Sequence, residues 1–90
     1  MNEELMSKIK ADLTEWTIQN ELLVKEFVFS TFQDAIHFVN AVAKIADEAD
    51  HHPDIFISYN KIKILLITHD LGVISEKDYA LAKEIKSLEV

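Results

Sequence analysis

The chain has no cysteine and no arginine, and only one glycine and one proline among its 90 residues. Without cysteine there is no disulfide framework, no thiolate nucleophile and no zinc-thiolate site, and nothing points to secretion. Without arginine, and with a formal net charge of -7, a nucleic-acid-binding or anionic-membrane surface is not expected, because such surfaces cluster Lys and Arg. A single glycine and a single proline leave little room for irregular loops, linkers or low-complexity segments. No apolar run approaches the roughly 20 residues of a membrane span, and the acidic start Met1-Asn2-Glu3-Glu4 lacks the basic opening of a signal peptide. These absences predict one cytoplasmic domain over residues 1–90, a length that buries about 60 to 70% of the unfolded surface.

Periodic apolar patterns fill most of the chain. Leu5, Ile9 and Leu13 recur every fourth residue, predicting a short amphipathic helix that packs on an edge. Trp16 to Ile18 and Leu22 to Phe29 read as strands around Gln19-Asn20-Glu21, with Leu23, Phe27 and Phe29 on one face and Val24 and Val28 on the other. Thr31 with Asp34, or Ser30 with Gln33, offers a capping box for a helix carrying Phe32, Ala35, Ile36, Val39, Val42, Ala43 and Ala46. Ile55 to Tyr59 and Ile62 to Thr68 form a second strand pair, with Asn60-Lys61 as the expected turn. Ser75 and Asp78 make a further capping box, with Ile74 and Tyr79 as its hydrophobic staple, before a last helix through Leu81, Ala82, Ile85 and Leu88. The order predicts an α+β fold: a two-layer, four-stranded antiparallel sheet with helices on one face, a ββαββα core behind an N-terminal helix. An uncovered sheet face that is partly apolar predicts self-association.

Three of the four histidines fall between Asp47 and Asp78. Proline disfavours helical geometry for the residue before it, so the central helix should stop near His51. Asp47, four residues earlier, should then share a helix face with the His51 ring. Because imidazole titrates near pH ~6.5, His51, His52 and His69 could give and take protons in one turnover. Plainer roles stay open for each. His51 and His52 suit a helix C-terminus as cations, His69 could merely end a strand, and His37 and Asp47 belong to a solvated helix face. Asp78 could serve only as the N3 partner of Ser75. A metal set is disfavoured, since adjacent His51 and His52 should point in different directions.

Asp47, three residues, His51-His52-Pro53, five residues, Tyr59, nine residues, His69, eight residues and Asp78 form a spaced motif of 32 residues. This motif, with Trp16, Phe27-Val28-Phe29, Phe32, Ala35 and Phe38 ahead of it, resembles that of the pterin-4a-carbinolamine dehydratase family. The resemblance covers the chain from about residue 8. It implies an α+β fold, assembly as a homodimer or homotetramer, and a lyase that removes water from 4a-hydroxytetrahydropterin to give the quinonoid dihydropterin in tetrahydrobiopterin recycling. It implies catalytic His51, His52 and His69 in the pterin pocket, with Asp47, Pro53 and Asp78 on the substrate side. No metal or organic cofactor is implied. The substrate would come from an aromatic amino acid hydroxylase. Relatives that act as a dimerisation cofactor or an assembly module supply a non-catalytic alternative. Two positions depart from the family pattern: Asp47 stands where members usually carry glutamate, and Val73 where they carry a glycine, which should reshape the loop before the last helix.

Overall fold

Alternating apolar residues in two hairpins build the sheet. The computed structural model describes residues 1–88, in the order α1 (Glu3–Asp12), β1 (Thr17–Gln19), β2 (Leu22–Val28), α2 (Phe32–Ala49), β3 (Asp54–Ser58), β4 (Lys61–Leu66) and α3 (Glu76–Ser87). The four strands are antiparallel in the order β1-β2-β4-β3. Pairing of Leu23 with Leu66, Phe27 with Ile62 and Ile55 with Ile64 puts these side chains on one face. Leu5 and Ile9 of α1, Ala35, Phe38, Val42 and Ala46 of α2, and Leu81, Ala82 and Ile85 of α3 pack onto that face in one core. Ile62, Ile64 and Leu66 are fully buried, so truncating one of them to alanine would cost about 2 to 5 kcal/mol. The predicted two-layer α+β architecture is the observed one.

The other sheet face pairs Glu26 with Lys63 and Val28 with Lys61, and places Phe56 beside Lys63. Val28 and Phe56 are exposed there. Among the described residues no helix is long and apolar enough to cross a membrane.

Helix α1 buries its predicted stripe: Leu5, Ile9 and Leu13 all join the core. Its outer side is tied to α3 by Lys8 to Glu76 at 2.7 Å, and Tyr79 donates to Asp12. The β3–β4 turn is Tyr59-Asn60, one residue earlier than Asn60-Lys61, with Tyr59 at φ 53. Asn60 accounts for the shift. Its Nδ2 donates to the Phe29 carbonyl at 2.7 Å while its own carbonyl accepts from the Phe29 N–H at 2.8 Å. That leaves Lys61 to open β4.

Candidate active site

The site is made where two chain reversals meet. Helix α2 ends with Asp50 in the left-handed region, φ 50 and ψ 42. The His51 N–H donates to the Ala46 carbonyl and the Asp50 N–H to the Asp47 carbonyl, both at 3.1 Å. This 6→1 and 5→2 pair is a Schellman motif, with aspartate in the place that glycine usually takes. His51 therefore lies outside the helix. The expected i,i+4 contact from Asp47 to His51 does not form, and the Asp47 carboxylate meets His52 Nε2 instead, at 2.9 Å. Both partners of that pair are largely exposed.

His51 turns inward. Its Nε2 is 2.6 Å from Asp78 Oδ1, with its side chain 11% exposed and that of Asp78 0% exposed. Asp78 also closes the predicted capping box of α3, accepting the Ser75 backbone N–H on Oδ2 at 2.9 Å. Asp78 is thus helix cap and histidine partner in one arrangement. Thr68 donates to the same Oδ2 at 2.8 Å. The Thr68 N–H donates to the Val73 carbonyl, and the Gly72 N–H to the Thr68 carbonyl, which folds residues 68–73 into a tight loop presenting His69.

His51, His52 and His69 line one open cleft of about 200 Å³, together with Asp50, Thr68, Asp70 and Lys77. A larger groove of about 470 Å³ runs past Glu15, Phe27 and Phe38 but contains no histidine, so chemistry and not size marks the candidate site. Pro53 follows His52, half-buried, and Asp47 stands on the exposed side of His52. His37 is exposed on α2 and does not line the cleft. Among the described residues no group of three His, Asp or Glu side chains is arranged to hold a metal ion. Three imidazoles in one cleft, two of them on carboxylates, can donate and accept protons on a small substrate.

The sequence model of the pterin 4 alpha carbinolamine dehydratase family matches residues 1–88. The chain belongs to that family. A relative from Thermomicrobium roseum, provisionally named a pterin-4-alpha-carbinolamine dehydratase, is 41% identical over 88 residues, 98% of this chain and 95% of its own. One of the same provisional name from Sulfolobus acidocaldarius is 36% identical, covering 99% and 98%. The crystal structure of a transcriptional coactivator/pterin dehydratase from Brucella melitensis superposes with a TM-score of 0.92 at 27% identity, over 100% of this chain and 98% of that one. A pterin dehydratase-like protein identified as a RuBisCO assembly factor in the alpha-carboxysome shares the fold, with a TM-score of 0.67 at 24% identity over 81% of this chain and 84% of its own.

The departure from the family pattern at Val73 does not disturb Asp78. Gly72, one residue earlier, takes the positive φ of 69, and Val73 bridges to Thr68 in extended form. Thr68 is the residue that sequence reasoning passed over, named only as the end of the Ile62 to Thr68 strand. Its signal was register. It follows Ile62, Ile64 and Leu66 at period two, so it faces inward, and a buried hydroxyl requires a partner.

Proposed function

We propose that this protein removes water from a 4a-hydroxytetrahydropterin to give the quinonoid dihydropterin. The observation that carries the reading is the convergence of His51, His52 and His69 on one cleft in a chain of this family. One imidazole protonates the departing 4a-hydroxyl, which leaves as water, and another accepts the proton of the neighbouring ring nitrogen as the carbon–nitrogen double bond forms. Positioned acid–base groups of this kind contribute about 10² to 10⁴-fold each. Asp78 acts through His51 and Asp47 through His52, while Pro53 holds the chain extended beyond the pair. The reaction needs no metal or organic cofactor. An aromatic amino acid hydroxylase supplies the substrate, and the protein works in the cytoplasm.

The test follows the ultraviolet absorbance of enzymatically generated 4a-hydroxytetrahydropterin. The protein accelerates its loss, and a His51→Ala, His52→Ala variant does not. Equal rates with wild type and variant would refute the reading.

We also propose that the chain self-associates through β3. Phe56 and Ile57 are exposed along this edge strand and Tyr59 in the turn that follows it, and the strand has no lysine, proline or bulge of the kind that blunts free edges. The same edge favours a second reading, a binding or assembly module. Folded wild-type protein that leaves the pterin decay unchanged would favour that role.

A further inference from the structure

The hydrogens around Asp78 can be placed by counting donors. Asp78 is fully buried, so its oxygens find their partners within the fold. The Ser75 backbone N–H and the Thr68 hydroxyl both donate to Oδ2, at 2.9 and 2.8 Å. Ser75 Oγ accepts the Lys77 N–H at 3.2 Å and lies 2.5 Å from Thr68 Oγ1. A hydroxyl has one hydrogen, and that of Thr68 is committed to Asp78. The short contact is therefore Ser75 donating to Thr68. With both lone pairs of Oδ2 filled, Oδ1 faces His51 Nε2 at 2.6 Å.

We infer that this relay, Ser75 to Thr68 to Asp78, fixes the tautomer of His51, so that Nε2 keeps a hydrogen donated to Asp78 and Nδ1 is the nitrogen that exchanges the proton. Thr68 and Ser75 are positioning residues that act through Asp78. The geometry stands by itself; its chemical use rests on the dehydratase reading. There, His51 is the base. Nδ1 takes the proton of the ring nitrogen, the electrons of that N–H bond form the carbon–nitrogen double bond, and the C–O bond breaks toward oxygen. The oxygen takes its proton from His52 or His69 and leaves as water. One proton is gained by His51 and one is lost by its neighbour. The Asp78 carboxylate remains ionised beside the imidazolium that forms, as in the serine-protease arrangement of aspartate and histidine.

The experiment is a long-range nitrogen–proton correlation spectrum of histidine-labelled protein, at a pH where the ring is neutral, with dehydration kinetics on the same samples. Wild type shows His51 as the Nε2–H tautomer. In Asp78→Asn, the amide oxygen stays with the Ser75 N–H and the Thr68 hydroxyl, so the amide NH₂ faces His51, and the spectrum switches to Nδ1–H. Thr68→Val frees Asp78 Oδ2 to turn, moves the His51 ring resonances from their wild-type positions and lowers kcat about tenfold or more, with the limb of the pH–rate profile assigned to the base displaced. Thr68→Ser restores both. An Nδ1–H tautomer in wild type, or Thr68→Val with wild-type spectrum and kcat, overturns the inference. Should Thr68→Val not fold, the nearly isosteric Asp78→Asn decides, and an unswitched spectrum there also overturns it. A wild-type protein that shows the Nε2–H form but no turnover sinks the dehydratase reading and leaves the tautomer assignment standing.

Discussion

Asp78 Oδ1 and His51 Nε2 lie 2.6 Å apart although 27 positions separate them in sequence, and the contact joins the end of α2 to the first turn of α3. The other acid–histidine pair, Asp47 with His52, is solvent-exposed on both sides. The two carboxylates therefore differ in energetic weight. Replacing Asp78 by alanine leaves the Thr68 hydroxyl, the Ser75 N–H and the His51 ring without their buried partner, and lowers the stability by about 3 to 5 kcal/mol. Asp47→Ala changes it by less than about 1 kcal/mol. Urea denaturation of both variants measures the difference, and equal losses would contradict the assignment of Asp78 as the buried anchor.

Alkaline stability depends on Tyr79. Its phenol is held above its usual range, chiefly by its hydrogen bond to the Asp12 carboxylate and further by burial. A raised value means that the folded state favours the neutral phenol. The contribution is complete below the ordinary tyrosine value near ~10 and disappears as pH rises through the higher folded value. Tyr79→Phe should be less stable than wild type at neutral pH, and the gap should narrow above about pH 10. Parallel curves from pH 7 to 11 would show that the bond carries no pH-dependent stability.

Left-handed backbone occurs on both sides of the cleft, at Asp50 and at Gly72. Substituting each in the opposite sense should give opposite signs. Asp50→Gly relieves a side chain in that region and stabilises by about 0.5 to 1 kcal/mol. Gly72→Ala destabilises by about 1 to 2 kcal/mol through backbone strain alone, since a Cβ there meets nothing within 4 Å. Thermal unfolding of the pair tests this, and a stabilising Gly72→Ala would remove the strain argument.

Self-association through β3 should yield to one charge. Phe56→Lys places a lysine on the exposed edge without touching the core and should leave a monomer. Light scattering at micromolar concentration reads the mass. A wild-type mass equal to one chain would end the proposal.

Most of the fold is legible in the sequence because each element carries a local signature. The period-two runs gave both hairpins, and Thr31 and Ser75 marked the helix starts. What failed was non-local. The β3–β4 turn moved because Asn60 bonds to Phe29, 31 positions earlier. In the site, the three histidines and both carboxylates were visible as residues, whereas which carboxylate meets which ring was not. Asp47 was assigned to His51 by helix spacing, and the left-handed Asp50 broke that spacing. Thr68 carried only its inward register and needed the folded loop to reveal what it touches.

All three imidazoles of the cleft are encoded before residue 70, whereas Asp78, the carboxylate that meets the innermost one, arrives only with α3. A shortened chain ending ahead of α3 would keep every proton-transferring group yet have His51 unaimed. On the proposed dehydratase reading, docking of the last helix is thus the step that would arm the site, and partly folded chains should be inactive even when they hold the full histidine set.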